Sequence, residues 1–482
     1  MNNIRRINDN KVDNLKSILK KSTSRTAAII LSFVLLLTIG FGTTIQAKET
    51  EEYLNDVETL KELIMQSYSG GNITEDALFE AAMEGMTSIL DDYSTFYNQI
   101  DAQVFIDMIS SEYVGIGVRL DVINEQIVVS EVFKGGAAYD AEVQVNDIII
   151  RVNGDLAADY KLDDLVDKIV GEEGSFVTIE FKRGGLFYEI ELERRKIAVP
   201  TVIPFELDSE TYNITEELSR KIASYKITTF ADKTDESLNI KIQKAIEDNV
   251  EYLIIDMRDN GGGYLETAVN ILEELIPKGT IVSLMDKSGE IDIKKSTLEE
   301  APFKVVLIVN NKSASASEIF AGAIKDSNVG VVIGEQTFGK GVAQNIYRIG
   351  SEYLVKLTTQ EFFSPNGDKI NGVGVTPNII VDTPDYVFSN RRFYSSDVDE
   401  QIVNVEAMLK ILGYFNEEPD DTYTYETYLA VYSFQSATGL YPYGVCDFTT
   451  QARLNTEYRI ATLKNDLQMK EAVKWIVKDT QK

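Results

Sequence analysis

The chain has 482 residues, carries 77 Asp and Glu against 47 Lys and Arg for a net charge of −30, and contains no histidine and one cysteine, Cys446. Without histidine there is no Ser-His-Asp triad, no Cys-His pair and no histidine-built metal site, and one cysteine allows neither an internal disulfide nor a cysteine-built zinc site. The acidic balance argues against nucleic acid as a partner, and Lys, Asp, Glu and Tyr are the general bases that remain.

Thr26–Ala47 runs uncharged for 22 residues, the length that crosses a bilayer core, and residues 1–25 before it carry seven Lys or Arg against two Asp. Mostly acidic charges follow it, so the asymmetry places 1–25 in the cytoplasm and the rest outside. A signal peptide cleaved near "TIQA" is the alternative. The expected location is the cell membrane, single-pass with the remainder extracytoplasmic, or secretion after cleavage.

The length fits two to four domains, and the 44% apolar content is ample for packed cores. Residues 48–100 read as helices, because "VETLKELIMQSY" and "EDALFEAAMEGMTSIL" place apolar residues three and four apart. Over 101–193 the pattern changes to short alternating strands with one helical stretch, "KLDDLVDKIV", which predicts a small β-domain. From 194 to 385 strands and helices alternate, and this predicts an α/β core with parallel strands. A linker is expected over 386–399, a helical module over 400–458 and an amphipathic tail helix over 459–482.

The chemistry concentrates in the α/β core. In "FKVVLIVNNKSASASEIFAGAIKD" a buried-strand pattern meets a helix pattern at a run of alternating serines. A serine at such a corner sits beside free backbone N–H groups of a helix start, where a developing oxyanion is stabilised. The alternation brings Lys340 of "EQTFGKGVAQ" to the same sheet edge as Ser315. Lys340 acts as a base only when neutral, and its apolar, glycine-lined surroundings favour that form by desolvation. Gln344 can orient the amine without adding a charge. The glycines of "DMRDNGGG" (Asp256–Gly263) free backbone N–H groups for an oxyanion. Read alone, Lys340 also fits a solvated turn lysine and the glycine run a plain turn.

Together, "NKSASASEIFAGAIKD", "GEQTFGKGVAQ", "DMRDNGGGYL" and "FFSPNGDKINGVGVTPNI" resemble the carboxy-terminal processing (tail-specific) serine proteases over roughly 55–385. The resemblance implies a multidomain α/β protein whose protease core is ClpP/crotonase-like, with an inserted PDZ β-domain. It implies Ser315 as nucleophile, Lys340 as base, Gln344 as its support, and the N–H groups of Ala316 and Gly262 as oxyanion donors. Asp259 and Gly261 stand where the family often has Asn and Pro, and losing that Pro predicts a looser turn.

Residues 101–193 resemble the family's PDZ domain, with Gly115, Ile116 and Gly117 receiving a peptide C-terminus and the peptide adding a strand. Where relatives often carry an Arg after the PDZ helix this chain has Val170, so gating through that side chain is not expected. Residues 400–458 resemble a peptidoglycan-binding domain, whose Tyr and Gln groups would contact glycan or stem peptide. The implied function is a serine endopeptidase of the cell envelope that recognises exposed C-terminal tails and needs no metal or cofactor. Its implied partners are such proteins or peptides, peptidoglycan, and the membrane through the N-terminal segment, with a homodimer left open. A catalytically silent tail- and wall-binding scaffold and a crotonase-like acyl-CoA enzyme are the competing readings.

Overall fold

The computed structural model describes residues 52–110, 112–123 and 126–481. The expected membrane or signal segment, 26–47, lies outside them, and among the described residues no helix is long and apolar enough to cross a membrane. The chain divides into two compact units, 1–90 and 91–482. In the first, helices cover 52–67 and Glu75–Thr87, and Thr74 caps the second by accepting the Ala77 N–H at 3.1 Å. None of residues 52–90 is buried.

The second unit opens with strand Thr95–Tyr97, which pairs antiparallel with Tyr353–Phe363, and helix Gln99–Ser110. The boundary expected at residue 101 therefore falls inside a helix, and 95–97 belongs to the core. A three-residue strand carries too little alternation to read. Beyond it the predicted β-domain forms a six-stranded sheet, with helix Leu162–Ile169 packed over buried Val129, Ile149, Val152 and Ile179.

The α/β core is built on β1 (Ile222–Ile227), β2 (Tyr252–Asp256), α1 (Leu265–Glu273), β3 (Lys304–Val309), α2 (Ala316–Ser327) and β4 (Gly330–Gly334). The four strands are parallel neighbours in that order. Val202–Pro204 adds an antiparallel edge beside β1, and Ile379–Ile380 a parallel one beside β4. Every residue of β2 is buried, as a strand covered on both faces requires. One face packs under α1 and α2. The other packs under helix Leu467–Asp479, whose Met469, Ala472, Val473 and Ile476 meet Ile254, Val306, Ile308 and Ile333. The expected amphipathic tail helix thus packs into the core over Leu467–Asp479, because a parallel sheet cannot leave an apolar face wet. A second, five-stranded sheet centres on Tyr353–Phe363 and includes Val342–Ile349, which follows Lys340.

Helices Glu400–Ile411, Tyr425–Ala437 and Phe448–Lys464 enclose a separate core of Leu409, Tyr423 and Phe434. The expected linker over 386–399 belongs to this module: Val387 and Phe393 are buried in it, and Phe393 bridges Cys446.

Candidate active site

Parallel register brings the carboxyl ends of β2, β3 and β4 to one edge, and the loops leaving them form the site. After β3 the chain turns into α2 at Ser315, which holds φ 58° and ψ −117°. A non-glycine residue in that region is strained, and such strain persists where the surroundings dictate it. The flanking serines are fully buried and structurally engaged. Ser313 Oγ donates to Met257 O at 2.8 Å and Ser317 Oγ to Asn260 O at 2.9 Å. Ser315 is half-buried and lines a cavity of about 510 Å³ together with Ala316, Lys340, Gln344, Gly261 and Gly263.

A residue the sequence reading missed holds this corner. Glu318, fully buried in the first turn of α2, accepts four hydrogen bonds. Two come from the Ser315 N–H (2.9 Å) and the Lys340 N–H (2.8 Å), and two from the Gly339 N–H and the Thr337 hydroxyl, both at 2.6 Å. Its carboxylate ties the serine corner to the lysine loop. Burial pushes its pKa up, against four donors that pull it down. The Ser-x-x-Glu spacing, a helix-start signature, was the available signal.

Lys340 lies half-buried with its Nζ 4.9 Å from the centroid of the Tyr93 ring. Burial and the nearby Lys356 ammonium lower its pKa from the ordinary 10.5, and Asp91 and Glu318 oppose them. The net direction favours the neutral amine that a base requires.

The glycine turn after β2 is clamped, contrary to the looseness expected from the missing proline. Buried Asn260 donates from Nδ2 to Ile227 O (3.0 Å), and its backbone carbonyl accepts the Ala314 N–H (3.0 Å). Asp259 and Asn310 bond reciprocally at 2.9 and 3.0 Å. Below the turn, Arg258 pairs with Asp256 at 2.6 Å and with Asp466, just before the last helix, at 2.7 Å. Gly262, expected as an oxyanion donor, has its N–H committed to Asn260 Oδ1 at 2.9 Å. It still touches Ser315: a Cβ there would lie 2.8 Å from Ser315 Cβ and 3.0 Å from Ala316 N. Among the described residues no acceptor engages the Ala316 N–H, which stands at the first position of α2. Gln344 reaches the cavity, but its amide donates to Val342 O at 3.0 Å and makes no hydrogen bond to Lys340. The strand pairing slips between Ala343 and Gln344, leaving Thr359 unpaired opposite, and such a bulge re-aims a side chain.

Gly115, Ile116 and Gly117 line a second, apolar cavity of about 340 Å³ between strand Val118–Ile123 and helix Leu162–Ile169, walled by Val166, Ile169 and Val170. In the C-terminal module Gln435 and Gln451 are structural. Gln435 is buried and uses its amide on Val445 O, Thr450, Tyr443 and Gly444. Tyr425 and Tyr432 of one helix face outward, with half-buried Tyr428 between them and successive ring centroids 6.0 and 6.3 Å apart.

Three family models match the chain, and known proteins are similar to it. The model of peptidase family S41 matches residues 221–381, that of the PDZ domain 103–181, and that of a putative peptidoglycan binding domain 398–454. The chain is 30% identical over 403 residues to a "Probable CtpA-like serine protease" of Staphylococcus epidermidis, covering 82% of this chain and 79% of that protein. A protein of the same description from Staphylococcus aureus strain RF122 is 31% identical over 377 residues, covering 76% of this chain and 73% of the relative. Among solved structures, a photosystem II D1 C-terminal processing protease is 26% identical with a TM-score of 0.41, covering 67% of this chain and 86% of that one.

Proposed function

The chain belongs to peptidase family S41, the C-terminal processing serine proteases, and we propose that it cleaves exported proteins through Ser315 and Lys340. The observation that carries this reading is the contrast within one run of serines. Ser313 and Ser317 spend their hydroxyls on backbone carbonyls, whereas strained Ser315 opens on the cavity that also holds Lys340. Neutral Lys340 takes the Ser315 proton as Oγ bonds to the scissile carbonyl carbon. The carbonyl electron pair moves to oxygen, where the Ala316 N–H and the glycine turn stabilise it. Gly262 joins as a donor if it releases Asn260. Collapse of that intermediate breaks the C–N bond, and Lys340 ammonium returns the proton to the leaving amine. Water, deprotonated by Lys340, then hydrolyses the acyl-enzyme.

The groove beside Gly115–Gly117 receives the substrate's C-terminal carboxylate on backbone N–H groups, and its aliphatic walls take an apolar terminal side chain. The C-terminal module holds the enzyme at peptidoglycan. Its exposed tyrosines offer sugar rings an apolar face without the basic charge an anionic polymer would need. Residues 26–47 anchor the chain with the catalytic region outside, and exposed Tyr53, Val57 and Leu60 offer a second copy an apolar stripe.

The test is casein cleavage by the full chain. Ser315→Ala and Lys340→Arg should abolish it, the latter because a guanidinium stays protonated. An inactive Ser313→Ala beside an active Ser315→Ala, or appreciable cleavage by Lys340→Arg, would end the assignment.

A further inference from the structure

Three lysines line the cavity that contains Ser315: Lys294, Lys340 and Lys356. Lys294 is neutralised by Asp292 at 3.1 Å and Glu266 at 3.8 Å. Among the described residues neither Lys340 nor Lys356 has an ion pair. Lys356 is instead held by rings. Its Nζ lies 5.5 Å from the Tyr97 centroid and 5.4 Å from the Phe105 centroid, and these two rings stack on each other at 4.7 Å. Tyr97 comes from the short strand paired beside Lys356, and Phe105 from helix Gln99–Ser110 packed over it.

Aromatic faces stabilise an ammonium without cancelling its field, whereas a carboxylate in their place would cancel it. An uncancelled positive charge beside a second amine disfavours protonation of that amine. We propose that Lys356 is a positioning residue for proton transfer: caged by Tyr97 and Phe105, its ammonium keeps Lys340 in the neutral form that can take the Ser315 proton. This rests on the reading of Lys340 as the base.

The other charged or titratable groups facing Lys340 are Asp91, Tyr93 and Glu318. All three favour the ammonium. Glu318 has its charge spread over four donors, and Asp91 accepts the Tyr93 N–H at 2.9 Å and the Thr358 hydroxyl at 3.1 Å. Burial and Lys356 act against them, and among the described residues Lys356 is the charge that does so. Had a neutral residue stood at 356, burial alone would oppose two carboxylates and a ring. The cage residue Phe105 borders the cavity too, so the ring that fixes Lys356 is also part of the wall that meets substrate.

The experiment measures Lys340 directly. Full-length wild type, Lys356→Gln, Lys356→Met and Lys356→Arg are labelled with an amine-reactive reagent across pH. The midpoint for the Lys340 peptide is read by mass spectrometry, with Lys325, which donates to Thr376 O, as a fold control. Casein cleavage is followed over the same range. The Lys340 midpoint and the acid limb of activity should move up by about one pH unit in the Gln and Met variants, roughly a tenfold fall in the neutral fraction below the limb. In Lys356→Arg, which keeps the charge, both should stay near wild type. An unmoved midpoint in both neutral variants, or an equal shift in Lys356→Arg, would overturn the proposal. A wild type that cleaves no casein while the midpoint shifts as expected would remove the protease reading and leave the lysine coupling supported.

Discussion

The corner at Ser315 and the groove beside Gly115–Gly117 are both built around glycines, and they are held in opposite ways. At the corner, fully buried polar side chains fix the backbone: Asn260, Ser313, Ser317 and Glu318 spend their acceptors and donors on the loops that carry Ser315 and Lys340. In the groove the loop is fixed by backbone and packing. The Ala138 N–H donates to Ile116 O at 2.8 Å, the Phe133 N–H to Gly117 O at 2.9 Å, and Gly117, at φ 88°, lies against Gly136. Its walls are mostly apolar, aliphatic with Tyr113 and Phe133 among them. A reaction that develops charge needs donors that cannot move, and buried polar bonds supply that at the cost of tolerance. A groove for varied tails needs apolar area and a free strand edge, which tolerate substitution better.

The sharpest way to break this contrast is at Gly262. Alanine there would press its Cβ to 2.8 Å from both Ser315 Cβ and Ala314 O, at a φ of 105° that alanine avoids. The oxyanion donors beside it would shift, and cleavage should fall by about a thousandfold. A Gly262→Ala enzyme within tenfold of wild type would mean the corner is not rigid. Glu318→Gln comes next. An amide has one acceptor oxygen where four donors converge, so two backbone or hydroxyl donors would face an NH2 group. Activity should drop about a hundredfold, with about 2 kcal/mol of stability lost. Near-wild-type turnover and melting would show that the clamp does not hold the two loops together.

In the groove the expected effect is smaller and falls on binding. Val166→Asp sets a carboxylate in an apolar wall opposite strand Val118–Ile123. A fluorescent peptide ending in an apolar residue should bind about tenfold more weakly, by anisotropy. Ser315-dependent turnover of a short peptide ester should be unchanged. Equal losses in both assays would mean that groove and cleft form one site.

Much of this was legible in the sequence. The strand–serine–helix pattern and the second strand before Lys340 located the cleft, because parallel strands bring their carboxyl ends together whatever lies between. The alternation read over 101–193 located the groove, although its first residues turned out to be helix Gln99–Ser110. Glu318 was written in the Ser-x-x-Glu spacing, but its reach to Thr337 and Gly339 depends on how two loops meet in space. The commitment of the Gly262 N–H to Asn260 is likewise a matter of local geometry. Helix Leu467–Asp479 was visible as an amphipathic stretch. That it covers the central sheet follows only from a face otherwise left bare, and that its entry residue Asp466 pairs with Arg258 follows from the packing.

The smallest expected effect concerns Lys340, a charged group of the candidate cleft whose burial works against the fold. Glu318 is satisfied by four donors, whereas Lys340 is half-buried beside an aromatic ring with, among the described residues, no carboxylate within ion-pair range. Its pKa lies below the ordinary 10.5, first because of burial. The unfolded chain therefore holds the Lys340 proton over a pH window in which the folded chain has released it. There the unfolded state binds more protons, so stability rises with pH from the folded value toward 10.5. Below that window the native state carries the whole cost of a partly desolvated ammonium. Lys340→Met keeps the length and removes the charge, so it should be inactive yet more stable than wild type by about 1 kcal/mol at neutral pH. The gain should shrink as the pH is raised, because wild type sheds its cost on deprotonation. Thermal unfolding of both proteins at neutral and alkaline pH measures this. A Lys340→Met protein that melts below wild type, by the same margin at both pH values, would show that the amine is held by favourable contacts. The difference between the two buried charges of the cleft would then disappear.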